Sequence, residues 1–225
     1  MGGAQQPSAQ ARAAALGALT GPLIRCATEL HNRGLSPASS SNYSARLDHE
    51  HAVITQSGRD KGALTEHDFM VVDLQGRPAT IGQPSAETLL HTLMYRRDPN
   101  IGCVLHTHSP RGVVLSQLHR GRRLLLEGWE LQKAFSGVDS HESTIRVPIF
   151  DNDQDMQRLA VRVNAALDKQ DRVNQQREKY AHCFGFLLRG HGLYAWGPDI
   201  ATAARHVEAF EYLFGCLLEL ARHKR

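Results

Sequence analysis

Residues 101–109 constrain the fold more strongly than any other stretch of this 225-residue sequence. An apolar run rich in β-forming residues ends there in the triplet His106-Thr107-His108. In a strand, alternate side chains point to the same face, so this spacing predicts that the two imidazoles lie side by side. Neutral imidazole is a common metal ligand. A pair of half-exposed histidines at a strand end is an equally ordinary outcome, so the metal interpretation needs support from the rest of the chain.

Composition and charge indicate an ordinary globular protein and give no support to two classes of partner. The sequence is 41% hydrophobic and 22% charged, with a net charge of +3. It contains no apolar run of the roughly 20 residues that a membrane helix requires. Its two short basic clusters, at 120–123 and 222–225, lack the interleaved aromatic residues that stack on bases. We therefore expect neither a nucleic-acid partner nor a membrane partner.

The cysteines and the N-terminus predict an intracellular protein with one domain. Cys26, Cys103, Cys183 and Cys216 are widely spaced and form no CxxC motif, and the first residues lack the pattern of a secretion signal. Reduced thiols and a cytoplasmic location are expected. Residues 1–16, rich in Gln, Ala and Ser, are predicted to be a disordered tail, and residues 17–225 a single domain.

Helix and strand patterns alternate along the chain, with hairpins mixed in. This order predicts an α/β fold, namely a three-layer α/β/α domain whose central mixed, largely antiparallel β-sheet is flanked by helices. Helices are predicted over residues 23–33, 86–97, 110–118, 129–135, 153–167 and from 198 onward, and strands over 45–48, 52–55, 69–73, 101–108, 124–126, 145–150, 184–188 and 193–196.

A third histidine strengthens the metal interpretation. His191 lies between Gly190 and Gly192, at the tip of a predicted hairpin. Glycine on both sides allows a close backbone approach and a positive φ. Three imidazoles with an open coordination position describe a catalytic zinc site, whereas structural sites are usually closed by four ligands. The sequence therefore predicts a catalytic metal site made by His106, His108 and His191.

Such a site needs a group that moves protons and a group that holds the substrate. Glu87, Glu127 and Glu130 are candidates for the first role, and the pattern does not rank them, since most carboxylates lie on solvated surfaces. Residues 57–62 form a Ser/Gly turn with one lysine, a type of loop that can present backbone N–H groups to a phosphate.

Several motifs in this order resemble the class II aldolase/adducin family. They are Pro84-Ser85-Ala86-Glu87, His106-Thr107-His108-Ser109 and Arg189-Gly190-His191-Gly192, and the resemblance extends over residues 23–220. It implies the fold predicted above and one Zn²⁺ per subunit on the three histidines. It also implies a sugar-phosphate substrate and a homotetramer with active sites near subunit boundaries.

Residues 130–135 and 148–152 are similar to the corresponding segments of dehydratases within the family. This implies a hydro-lyase acting on a ketose phosphate, with Glu130 as its acid/base, whereas Glu87 matches the acid/base of aldolase members. Aldolase relatives usually carry glycine in place of Ser41, which leaves the exact phosphate contacts open. The residues implied in phosphate binding are Ser41, Asn42, Ser57, Gly58, Lys61 and Ser85.

Two alternative functions remain open at this point. A sugar-phosphate aldolase or epimerase would use the same metal site, with Glu87 as the acid/base. A non-catalytic interaction domain like the adducin head would need no metal ligands at all.

Overall fold

One large mixed sheet organises residues 9–175 and 181–223, the part of the chain that the computed structural model describes. Its strands are β1 (Asn42–Arg46), β2 (His51–Thr55), β3 (Phe69–Asp73), β4 (Cys103–Thr107), β5 (Arg123–Leu126), β6 (Thr144–Phe150), β7 (Ala181–His182), β8 (Gly185–Leu188) and β9 (Gly192–Gly197). They lie in the order β3-β2-β1-β4-β9-β8-β6-β5, with β7 also beside β6. Among the described strand pairs, only β6–β7 and β6–β8 are parallel, so the predicted mixed, largely antiparallel sheet is confirmed.

Helices cover both faces of the sheet. They are α1 (Ala9–Asn32), α2 (Thr88–Arg97), α3 (Pro110–Leu118), α4 (Met156–Gln175) and α5 (Ile200–His223). The core formed with α1, α3 and α5 contains Leu105, whereas the core formed with α2 and α4 contains its neighbour Val104. Strand β4 is thus buried on both faces, which explains its continuous apolar run and confirms the three-layer architecture. Among the described helices, none combines the length and the apolar character that crossing a membrane requires.

The N-terminal boundary predicted from the sequence needs correction. Helix α1 begins at Ala9 and contains Pro22 in its interior, whereas the sequence pattern predicts a helix only from residue 23. Alanine has the highest helix propensity of all residues, and the sequence before Pro22 is rich in it. The helix therefore extends to the N-terminal side of Pro22, although proline removes one of its hydrogen bonds. Residues 9–16 of the predicted tail therefore belong to α1, and residues 1–8 lie outside the described part of the chain.

The other differences at element boundaries are smaller, and one of them matters for function. Helix α4 continues to Gln175, beyond the predicted end at 167. Strand β1 begins at Asn42, ahead of the predicted start at 45, because it pairs along β4. This pairing brings the polar side chains of β1 into the sheet beside the predicted metal ligands.

His206 of α5 joins two other segments in the core. It is 1% exposed, and its Nδ1 donates to the carbonyl of Trp196 at 2.7 Å. Its Nε2 accepts from the backbone N–H of Ser136 at 3.0 Å. Since a backbone N–H can only donate, this geometry requires a neutral ring, and burial lowers the pKa of His206 from 6.5 to about 4. The ring thereby fixes the segment that follows a 3₁₀ turn, Glu130–Ala134.

We expect the His206→Gln variant to show a weaker loss of stability in acid than the wild type. Between pH 6.5 and about 4, His206 is protonated in the unfolded chain but stays neutral in the folded chain. Protonation therefore lowers the free energy of unfolding as the pH falls through this range. The difference amounts to at most about 3 kcal/mol. Denaturant unfolding between pH 7.5 and 4 measures it, and parallel stability curves for the two proteins would contradict the assignment.

Candidate metal centre

A row of three residues across the sheet defines the position of the first predicted ligand. In the strand register, His106 of β4 lies opposite Asn42 of β1 on one side and opposite Tyr194 of β9 on the other. The His106 ring is fully buried and stacks on the Tyr194 ring, with centroids 4.1 Å apart and planes at 18°. Its Nδ1 donates to the carbonyl of Leu193 at 3.0 Å, which leaves the lone pair on Nε2. The sheet therefore fixes both the position and the tautomer of this imidazole.

The second predicted ligand converges on the first. Strand β4 ends at Thr107, and His108 follows directly, with its backbone N–H donating to Leu35 at 2.9 Å. The Nε2 atoms of His106 and His108 are 2.9 Å apart. The expected convergence of the two imidazoles is confirmed.

The glycines around His191 have the two effects expected from the sequence. Gly190 has a φ of 67°, in the left-handed region that favours glycine. A Cβ at Gly192 would overlap the carbonyl of Thr107 and press on the His106 ring, so only glycine allows this approach. The His191 ring packs against both other imidazoles, at centroid distances of 4.9 Å from His106 and 4.7 Å from His108.

Glu87 completes the cluster. Its side chain is 11% exposed, with Oε2 at 3.2 Å from Nε2 of His106 and Oε1 at 2.8 Å from Nε2 of His191. Its Oε2 also accepts from Nδ2 of Asn42 at 2.7 Å. Burial alone would raise the pKa of Glu87, but the adjacent His106 and His191 and the donated hydrogen bonds outweigh it and hold that pKa well below its usual range.

The donor set fits a divalent metal ion. One ligand atom from each of Glu87, His106, His108 and His191 lies within 4.8 Å of the others. Nδ1 of His106 donates to Leu193, so its Nε2 presents a lone pair, and Nδ1 of His191 lies 3.3 Å from the acceptor Oδ1 of Asn152, which would hold the proton on Nδ1 when Nε2 binds a metal ion. Burial lowers the pKa of His106 to about 3 and also lowers that of His108, which favours the neutral imidazoles that bind metal ions. Imidazole nitrogen and carboxylate oxygen are ordinary zinc ligands.

The residues predicted to contact phosphate lie around this cluster. Ser41 has a φ of 74°, in the left-handed region that favours glycine. The Asn42 amide is already engaged by Glu87 and by His91. Lys61 is 1% exposed and lies near enough to His108 to contribute to lowering the pKa of that ring.

The two remaining loops that are predicted to contact phosphate are joined to each other. The backbone N–H of Ser57 donates to Gln83 at 3.0 Å, and Gln56 pairs with Pro84 in an isolated bridge. Gly58 has a φ of 72°, and Ser85 precedes Glu87 by two residues. Both loops are therefore held on the Glu87 side of the cluster.

Glu130 and Glu127 are not part of the cluster in the single subunit. Glu130, whose side chain is 74% exposed, pairs with Lys133 at 2.6 Å, and that hydrogen bond lowers its pKa. It borders a groove of about 810 Å³ between the 3₁₀ turn and α5. Glu127 accepts from Thr144 at 2.6 Å. Glu130 also lies 4.0 Å from Nδ1 of His141. Within the described residues, no hydrogen bond or ion pair joins either carboxylate to the three histidines of the cluster.

Sequence reasoning missed the residues that support the ligands. Asn152 and Tyr194 contact imidazoles from distant parts of the chain, and nothing in their local sequence indicates this. The sequence does contain a signal for His91 and Tyr95. Together with Glu87 they recur every four residues, which places all three on one face of a helix.

Comparisons with known proteins agree with this architecture and site. The profile of the Class II Aldolase and Adducin N-terminal domain matches residues 22–218, so the chain belongs to this family of proteins. It is 53% identical to the methylthioribulose-1-phosphate dehydratase of Xanthomonas campestris pv. campestris (strain 8004) over 214 residues, which cover 93% of each chain. It is also 53% identical to the enzyme of the same name from Pseudomonas aeruginosa (strain LESB58), covering 90% of this chain and 94% of that one.

Solved structures show the same fold. The L-fuculose-1-phosphate aldolase from Thermus thermophilus superposes with a TM-score of 0.70 at 25% identity, over 93% of this chain and 98% of that one. A sugar-phosphate aldolase from Thermotoga maritima superposes with a TM-score of 0.59 at 19% identity, over 90% and 94% of the two chains.

We expect His106→Ala to abolish retention of zinc after loading and desalting, because the variant loses the most rigidly held donor of the cluster. The control is His49→Ala, which removes an imidazole whose side chain is 83% exposed. Elemental analysis of both proteins beside the wild type gives the measurement. Full zinc occupancy in His106→Ala would remove this residue from the ligand set.

Proposed function

We propose that this chain is a hydro-lyase that converts 5-methylthioribulose 1-phosphate into 5-methylthio-2,3-dioxopentyl phosphate and water, a step of methionine salvage. The observation that carries the proposal is the 53% identity to methylthioribulose-1-phosphate dehydratases over nearly the whole of both chains. Residues 17–225, together with the part of α1 that begins at Ala9, would form the catalytic domain. The cluster of Glu87, His106, His108 and His191 supports an enzyme rather than an adducin-like interaction domain, which would need no such donors.

The metal in this proposal is one Zn²⁺ per subunit, held by His106, His108 and His191. Such an ion supplies Lewis-acid polarisation of the substrate oxygens when it is bound. Imidazole donors also suit iron, cobalt and nickel, and the choice of zinc rests on the three-imidazole set with an adjacent carboxylate.

Glu130 is the proposed acid/base. Dehydration removes the proton from C3 and the hydroxyl from C4, which gives an enol that tautomerises to the 2,3-diketone. A single carboxylate can accept the C3 proton and return it to the departing hydroxyl as water forms. A positioned group of this kind accelerates a reaction by about 10²–10⁴.

The phosphate end of the substrate would be held by the loops on the Glu87 side of the cluster. Lys61 supplies the charge, since its ammonium group is buried near His108. We further propose that the phosphate accepts hydrogen bonds from backbone and hydroxyl groups of Ser57, Gly58 and Ser85, and that Ser41 and Asn42 also contact it. The Asn42 amide would have to exchange a contact with Glu87 or His91 to reach the phosphate.

The position of Glu130 supports an oligomer with shared active sites. Its carboxylate lies on the exposed surface and is not connected to the cluster of its own subunit within the described residues. We therefore propose a homotetramer in which Glu130 reaches the metal centre of a neighbouring subunit. A cytoplasmic location is proposed as well, and the four free thiols support it.

The identity of the products distinguishes this function from its main alternative. A sugar-phosphate aldolase or epimerase would rely on Glu87, which does lie in the cluster. Incubation of the zinc-loaded protein with 5-methylthioribulose 1-phosphate should yield the phosphorylated diketone, which ultraviolet absorbance and mass spectrometry detect. Formation of an aldehyde fragment, or of an epimer with unchanged mass, would overturn the proposed dehydration.

Glu130→Gln should retain zinc and lose turnover by about 10²–10⁴, because the amide keeps the shape of the side chain but cannot accept the proton. The matched control is Glu142→Gln, a change at another exposed glutamate of the same region. Initial rates and zinc content are measured for both. Turnover near the wild-type value in Glu130→Gln would assign the proton transfer to another group.

A further inference from the structure

A line of buried polar side chains leads from the Glu87 carboxylate into the core between β1 and α2. Asn42 Nδ2 lies 2.7 Å from Glu87 Oε2, and Asn42 Oδ1 lies 2.5 Å from His91 Nε2. His91 Nδ1 lies 2.7 Å from Ser44 Oγ, which lies 2.7 Å from the hydroxyl of Tyr95. All five residues are at most 8% exposed. We call these residues the Glu87 chain.

The direction of every hydrogen bond in the Glu87 chain follows from its carboxylate end. A carboxylate can only accept, so Asn42 donates through Nδ2 and presents Oδ1 as an acceptor. His91 must then carry its proton on Nε2. Complete burial lowers the pKa of His91 to about 4, so the ring is neutral and Nδ1 accepts. Ser44 donates to that nitrogen, and its oxygen receives the Tyr95 proton.

Two regular elements hold the Glu87 chain in place. Asn42 and Ser44 are alternate residues of β1 and therefore point to the same face of the sheet. Glu87, His91 and Tyr95 follow one another at intervals of four residues, from the position that precedes α2 into its last turn. Each hydrogen bond that crosses from strand to helix thus has both partners on rigid backbone.

Such an arrangement is costly unless it is complete. An unpaired polar group in the core costs stability, and hydrogen bonds that point the same way strengthen one another at low dielectric. Each group in the Glu87 chain donates towards the carboxylate in succession. None of His91, Ser44 and Tyr95 has a role in the proposed reaction, although they occupy a buried site directly behind the metal centre.

We propose that Asn42, His91, Ser44 and Tyr95 are positioning residues that fix the Glu87 carboxylate against His106 and His191. The Glu87 chain engages Oε2, which orients Oε1 towards His191. Partners of this kind outside the metal ligands typically change metal affinity by about 10–100-fold. This inference rests on the metal centre proposed above, and the Tyr95 hydroxyl, three hydrogen bonds from Asn42, is its most distant element.

Tyr95→Phe removes that hydroxyl and keeps the ring, and Ser44→Ala removes the central link. The matched control is Tyr43→Phe, which deletes a buried hydroxyl of the neighbouring residue in β1, whose side chain belongs to the opposite core. Metal-stripped full-length proteins are titrated with Co²⁺ in competition with a chelator, and the visible absorption spectrum of the bound ion is recorded. If Tyr95→Phe fails to fold, the Co²⁺ affinity and spectrum of Ser44→Ala are compared with those of the wild type instead.

We expect Tyr95→Phe and Ser44→Ala to bind Co²⁺ about tenfold more weakly and with an altered spectrum, while Tyr43→Phe matches the wild type. The inference is overturned if both variants reproduce the wild-type affinity and spectrum, or if Tyr43→Phe changes them equally. A wild type that binds no Co²⁺ overturns the metal centre and the inference together. A wild type that binds Co²⁺ and responds to the variants, yet forms no diketone, overturns only the proposed reaction.

Discussion

The backbone pairing of β4 between β1 and β9 is the interaction on which the site depends. This register places Asn42, His106 and Tyr194 in one row across the sheet. Because β4 is buried on both faces, its hydrogen bonds are shielded from water, and a shift of one residue would turn His106 into the opposite core. The position of the first ligand is therefore a property of the whole sheet, whereas His108 and His191 lie on the segments that leave it.

The two carboxylates discussed for proton transfer occupy very different environments. Glu87 is buried and surrounded by imidazoles, and its pKa is held down by the adjacent His106 and His191 despite desolvation. Glu130 is exposed, and its pKa is lowered mainly by the hydrogen bond from Lys133. In the subunit as described, neither environment gives the raised pKa of a general acid. A reaction that used Glu130 would therefore depend on a segment outside the metal cluster.

Local patterns were sufficient to predict the layers of the fold and the convergence of the three histidines. Two local patterns carried the prediction. Side chains alternate between faces along a strand, which predicts that His106 and His108 converge, and the glycines beside His191 predict a close backbone approach. Both are found in the structure. The entry of Asn42 into β1 and the contact of Asn152 with His191 depend on pairing between distant segments, which local sequence does not encode. The early start of α1 was missed because Pro22 gave a stronger local signal than the alanines before it. Glu130 could be matched to a motif, but local sequence does not encode its position relative to the histidines.

Gly192 has a consequence for how the centre accommodates ions of different size. The hairpin that carries His191 touches β4 through main-chain atoms, with no side chain between them. Main-chain contact has no alternative rotamers, so the spacing between the backbone of this hairpin and that of β4 is fixed. The His106 ring is further held by its stacking on Tyr194 and its hydrogen bond to Leu193. A larger or smaller ion must therefore be accommodated by the side-chain torsions of His108, His191 and Glu87, with His106 as the stiff donor of the set.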